Sequence, residues 1–491
     1  MHIVTKAVSA LRPIALQPNH AEDRCSMLAS CAQLALLLLA LCWLPPRWAA
    51  LAIVVPVGRR GREEDTPYGR ILGEWLSGMG TVDDLEEALM EIPIEQEEDL
   101  PAVADFLARC RDPKTPVRAL RRLHRGLPRV VDSCLAVREP GLCRNVYEHV
   151  LPEAVLLFED SLGRRSRLSQ QTALVLLELL LAFDEPEAAK RVIRAVRRPL
   201  LPEHLDWSHV FSQLDGEHPF WPEIRDALAN PLPPGFIAVA FLDAMNDLAM
   251  DGDLDSHPFT SEEGCERLQG WLTSRRPEDT SRAHSATTAL PFLGRQQREA
   301  LLPLARRHPD EAVQMEASWA AAVTGDETGV ADLSRWATDA LWSRQACLYL
   351  RELRREESIP AKAQEPDFEA IAALTAWLAH DDQFGIPPDR ISVFDRRELF
   401  WPPSGERRLV HLLRYAVQVG DEEFAGIGFV GDLSFALMEH ATERMSVEDL
   451  YGLYCAWELI YNGHPEAPAG ITALTGRAIL ARHNPDFPAT D

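Results

Sequence analysis

At 491 residues and 46% hydrophobic side chains, the chain has room for about two to four domains or one long array, and it is too apolar to be largely disordered. Fifty Lys and Arg against 75 Asp and Glu leave a formal charge of −25 with no basic patch to offset it, which argues against nonspecific nucleic-acid binding. The nine cysteines include no C-x-x-C pair, so neither a disulfide framework nor a zinc site is expected, and reduced thiols packed as small hydrophobes suit a reducing compartment.

Residues 1–65 hold an apolar segment and its polar flanks. Ser26 to Leu44 is apolar over 19 residues apart from Ser30 and Gln33, and Pro45-Pro46-Arg47 stops it. A helix of that length can cross a bilayer core of about 30 Å. Arg12 and Arg24 precede it, while Arg47, Arg59, Arg60 and Arg62 lie beyond it, so the heavier count downstream favours a single-pass anchor with the bulk in the cytoplasm. Three alternatives stay open: a buried hairpin in a soluble cytoplasmic protein, a start codon placed too early, and a signal sequence. The last lacks a small-x-small exit. Lysine occurs only at Lys6, Lys114, Lys190 and Lys362, whereas arginine and alanine abound, as a GC-rich genome would give.

Residues 66–259 read as helices in irregular pairs. Leu168 to Phe183 is one helix apolar on nearly every face, and Pro199, Pro202, Pro222, Pro231, Pro233 and Pro234 punctuate the helices downstream of it. At the end of this region, Asp251, Asp253, Asp255 and Glu262 take positions 1, 3, 5 and 12 of a calcium loop. Ser256 stands where the loop needs Gly, Phe259 offers no oxygen, and Pro258 fills the inward apolar place. An acidic inter-helix loop, with Thr260 or Ser261 capping the next helix, is therefore the expectation.

Residues 260–355 write one short two-helix unit repeatedly. Gln296 to Arg307 carries Leu301, Leu302, Leu304 and Ala305 at helical spacing, with Pro303 set to kink the helix. His308-Pro309-Asp310 makes the turn and Asp310 is the expected N-cap. Val313, Ala317, Ala320 and Ala321 then form a face of small residues. After Gly325-Asp326 the next copy places Leu333 and Trp336 on one helix and Trp342, Ala346 and Leu350 on the other, with Val313/Trp342 and Ala317/Ala346 at one offset. An earlier copy spans about Glu262 to Leu293. A period near 30 means stacked helix pairs.

The Pro-kinked first helix and the turn Asp310-x-x-Val313 with Ala317 four residues on resemble HEAT repeats, in the short-period variety first described in phycobilisome lyases. The family usually has Arg after that Val, where Gln314 stands here, so an Asp–Arg ladder between repeats lacks its arginine. The resemblance implies a mainly α fold, an armadillo-like α-solenoid of HEAT-like helix pairs.

After a charged stretch at Glu356 to Asp367, residues 368–491 read as a small C-terminal α+β module. Strands are expected at Arg390–Phe394, Leu409–Val417 and from Gly426 on, with Gly420-Asp421 as a hairpin turn. Ser446-Val-Glu-Asp449 is a capping box for a helix through Leu459. Gly426-Ile-Gly-Phe-Val-Gly431 spells a dinucleotide fingerprint but lacks an entering strand and a helix after it, so a glycine-rich strand is the expectation. Trp401-Pro402-Pro403 reads as a rigid packed loop in preference to an exposed recognition spot. Trp319, Trp336 and Trp342 fall at packing positions, and His204, His308 and His411 are isolated.

No motif supplies a catalytic residue, a cofactor site or a metal site. The expectation is a non-enzymatic protein-interaction scaffold with an unidentified protein partner, no nucleic acid, and any membrane association through residues 26–44. One alternative is the lyase-associated or chaperone-like HEAT subunit that the resemblance allows; a second is a cation-responsive adaptor resting on Asp251 to Glu262.

Overall fold

The computed structural model describes residues 66–77, 89, 93–164, 166–198, 206–214, 216–380 and 382–488. The apolar segment at 26–44 lies outside them. Among the described residues no helix is long and apolar enough to cross a membrane. The protein is mainly helical with one small antiparallel sheet near its C-terminus. The described residues form two compact units, one running to Glu316 and the other from Ala317 onward.

The first unit begins with α1 (Pro67–Leu76), where Thr66 accepts the Gly69 N–H at 3.0 Å and Pro67 fixes the first helical φ. Then come α2 (Leu100–Arg111), α3 (Val117–Leu135) and α4 (Pro140–Asn145), which continues through a π-turn at Val146–Val150 into α5 (Leu151–Gly163). Helix α6 (Arg167–Ala182) is the apolar helix anticipated at residues 168–183, and residues 172–181 are all buried. Its companions are α7 (Ala188–Arg197), α8 (Asp206–Ser212), α9 (Trp221–Ala229) and α10 (Gly235–Asp251). Helices α3, α5, α7 and α8 all pack on α6. Each fully buried leucine there contributes about 1.5–3 kcal/mol of transfer free energy, which explains why α6 is apolar on every face.

Helices α11 (Glu262–Thr273), α12 (Thr280–Thr288) and α13 (Arg295–Ala305) carry the first recognisable repeat text. Ser261 caps α11 through the Gly264 N–H at 3.1 Å, and Pro303 lies inside α13. Asp310 accepts the N–H groups of Ala312 and Val313 at 2.9 and 3.3 Å, the N-cap expected for α14 (Glu311–Val323). No strand occurs among the described residues before Arg390.

In the second unit, α15 (Glu327–Trp336) and α16 (Ser343–Glu352) complete the repeat text, and α15 packs on the C-terminal part of α14. A Cβ on Gly329 would lie 2.5 Å from the Ser318 carbonyl oxygen, so Gly329 and the small face at Ala321 and Ala322 permit that approach. The stretch read as a charged linker makes two short 3-10 turns and enters α17 (Pro366–Leu378).

Strands β1 (Arg390–Trp401), β2 (Glu406–Val419), β3 (Glu422–Val430) and β4 (Ser434–Met438) form a meander in the order β1-β2-β3-β4. Gly420, at φ +62°, makes the β2–β3 turn as anticipated. Helices α18 (Glu439–Thr442), α19 (Val447–Tyr461) and α20 (Ala473–His483) complete the unit. Val410 and Leu412 enter the core beneath α19 and α20, whereas Leu413, Tyr415 and Val417 enter the one beneath α17. Both faces of the sheet are thus covered, and β2 reads as a nearly continuous apolar run. Ser446 and Asp449 close the capping box that opens α19.

Candidate functional site

The dinucleotide-like glycines lie in strand β3 and the turn after it. A Cβ on Gly428 would come within 2.0 Å of Leu374 on α17, and one on Gly426 within 2.2 Å of the Leu437 oxygen. These glycines bring a helix and a strand close to β3.

The acidic loop is built round apolar and neutral contacts. Gly252 ends α10 in the left-handed region at φ +83°, and the Asp253 N–H donates to the Leu248 oxygen at 2.9 Å. The buried His257 ring donates from Nε2 to Asn246 Oδ1 at 3.2 Å and accepts the Phe259 N–H at Nδ1, a pattern that needs the neutral ring. Burial lowers its pKa to about 4. Phe259 is fully buried, so positions 7 and 9 of the loop point into the core. Among the described residues no group of three or more His, Cys, Asp or Glu is placed to hold a metal ion.

Trp401 is fully buried, which removes the exposed recognition spot as an alternative. Its Nε1–H donates to Glu458 Oε2. Glu458, also fully buried, takes the Leu433 N–H at Oε1 (3.1 Å) and lies 3.0 Å from the Tyr454 hydroxyl, which itself donates to the Leu433 oxygen at 2.6 Å. Burial raises the Glu458 pKa to about 7, against the lowering pull of its hydrogen-bond donors. The Tyr454 hydroxyl stands between two acceptors, Glu458 Oε1 and the Leu433 oxygen, and Oε2 accepts from Trp401. This network fastens α19 to β1 and to the β3–β4 turn. Trp319 and Trp336 pair with Tyr349 and Trp342, at ring separations of 5.6 and 6.3 Å, which are packing contacts.

The face with the clearest binding character lies on α3, in the first unit. Leu123, Leu127, Val130, Val131 and Cys134 form its buried stripe. On the far side stand Arg118, Arg121, Arg122, Arg125 and Arg129, within one arc of about 100° at 3.6 residues per turn. Arg122 lies 4.9 Å over the Trp75 ring, and Arg129 pairs with Asp132 at 3.3 Å. Arg118, Arg121 and Arg125 are exposed and have no hydrogen-bonding or ion-pair partner among the described residues, nor has the Lys114 amine. Elsewhere in this unit Arg109, Arg111, Arg144, Arg164, Arg191 and Arg194 each meet a carboxylate. Residues 113–131 carry six Lys or Arg and no acid, so the expectation that no basic patch exists is wrong. The whole-chain charge hid a local reversal of sign.

Beside this stripe a cavity of about 210 Å³ opens between α3 and α6. Arg125 and Pro128 stand at its α3 side, Gln171 and Val175 on α6, and Asp206 at the start of α8. His124 and Thr172 form its floor. The His124 ring bridges to the Cys110 oxygen at 3.2 Å through Nε2–H and accepts the Thr172 hydroxyl at Nδ1, and burial holds it below the usual histidine range. It is a core cross-link between α2, α3 and α6. One turn beyond Val175, burial and the charges of Asp206 and Asp132 push Glu178 up to about 8. The face therefore offers cations outside and a small, mostly neutral recess within. Neither a protein-family model nor a curated protein matches this sequence.

Proposed function

We propose that the chain is a non-enzymatic protein-interaction scaffold: a HEAT-like array of helix pairs that receives a partner protein on the exposed face of α3. The observation that carries this reading is a row of cations that have no partner among the described residues, on an otherwise carboxylate-rich molecule. An exposed arginine gains little by standing alone, whereas Arg109, Arg111, Arg191 and Arg194 on helices of the same unit each meet a carboxylate. The close helix approaches at Gly329, the N-cap at Asp310 and the proline inside α13 support the HEAT-like part of the reading. The helix pairs hold such a face rigidly, as repeat arrays do.

The lysines provide a direct test. Lys190 bonds Glu187 at 2.9 Å and Lys362 donates to the Thr338 oxygen at 2.9 Å, whereas the Lys114 amine has no partner among the described residues and stands beside the arginine stripe. The full chain, isolated from its own cells after treatment with a lysine-reactive cross-linker, should carry one stoichiometric partner joined through Lys114. Isolation without a partner, or joined only through Lys190 or Lys362, would contradict the reading.

A further inference from the structure

We infer that the occupant of this face is an acidic protein segment with an apolar residue among its carboxylates, an assignment that rests on the scaffold reading. Arg118, Arg121 and Arg125 have the i, i+3, i+7 spacing of a single helical row. At 1.5 Å per residue they span about 10 Å, the interval at which a partner helix repeats its own side chains on one face. Guanidinium groups grip carboxylates through two parallel hydrogen bonds, so such a row selects Asp or Glu at matching spacing. Val117, 68% exposed, extends the row on one end, and the cavity beside Arg125 opens at the other. About 210 Å³ accommodates one leucine- or phenylalanine-sized side chain. The occupant must bring both chemistries.

Other polyanions fit less well. Nucleic acid is held by neutralising many phosphates, and this face offers four cations without a partner among the described residues, on a chain of net charge −25. A lipid surface would need the apolar face of α3 to insert, but Leu123, Leu127, Val130 and Val131 are committed to the core. A second copy of the chain could supply carboxylates, and the test resolves that case.

The probe is a fluorescein-labelled helical peptide of about fourteen residues, with Glu at i, i+3 and i+7 and Leu between, titrated with the full chain. Saturable binding is expected, weakened at least about tenfold by Arg118→Glu, Arg121→Glu and Arg125→Glu together, since three attractive charge pairs become repulsive. The neutral triple variant to Gln should weaken it less, and both variants should keep the wild-type melting temperature because these side chains are exposed. The same peptide with Ser for Leu should bind more weakly than the parent. No saturable binding by the wild type, unchanged affinity in the Glu variant, or equal binding of duplex DNA or phosphatidylserine vesicles overturns the proposal. So does a wild-type dimer that the Glu variant dissolves. In the cross-linking experiment, no partner on the wild type sinks the scaffold reading, whereas a partner kept at full yield by the Glu variant sinks only this assignment.

Discussion

Glu458 makes the stability of the second unit depend on pH in a direction opposite to that of an ordinary ion-paired carboxylate. Its pKa rises from 4.5 to about 7 on folding. The folded state therefore holds the proton more tightly, and the stability this contributes is fully present below pH 4.5 and is lost as pH rises through about 7. The difference corresponds to about 3 kcal/mol. Glu458→Gln removes the titration but cannot satisfy every neighbour. If the amide nitrogen takes the Oε1 place it opposes the Leu433 N–H, and in the other orientation it opposes the Trp401 N–H. One lost hydrogen bond costs roughly 1 kcal/mol. The variant should thus be less stable than wild type near pH 4.5 and more stable near pH 8, by roughly 1–2 kcal/mol in each direction. Urea denaturation monitored by tryptophan fluorescence at several pH values measures this, and the wild-type-minus-variant difference cancels other titrations such as that of His411. Parallel pH profiles for the two proteins would refute the assignment of a raised pKa to Glu458.

Two glycines with opposite surroundings should respond oppositely. A Cβ on Gly476 would lie 1.7 Å from the Gly452 oxygen where α19 and α20 cross, so Gly476→Ala should lower stability by about 1–3 kcal/mol, seen as a lower melting temperature. Gly73 in α1 has nothing within 4 Å of its Cβ position, and Gly73→Ala should stabilise by about 0.5–1 kcal/mol in a urea titration. Ala317 is fully buried, so Ala317→Trp should destabilise by about 1–3 kcal/mol, and an unchanged melting temperature would place that helix face in solvent.

Local chemistry made much of the fold legible. The cap at Asp310, the proline within α13, the turn at Gly420 and the box at Ser446 are all set by neighbours within a few residues, and the structure places each where the sequence does. The glycines of β3 were legible as strand glycines, but their cause was not, because Leu374 lies far back in the chain. Distance also hid the buried acid network: Trp401 and Leu433 precede Glu458 by 57 and 25 residues. The arginine row was legible in composition, as an acid-free run at residues 113–131, and was lost by averaging charge over the whole chain. That Arg118, Arg121 and Arg125 find no partner among the described residues depends on where distant carboxylates fold.

The binding role of α3 is tested most directly by amide hydrogen exchange on the full chain, alone and with its cross-linked or peptide partner. Protection should increase across residues 117–128 and 168–175, the two walls of the recess, while β1–β4 exchange unchanged. Increased protection confined to the sheet and α19, with residues 117–128 unaffected, would contradict it.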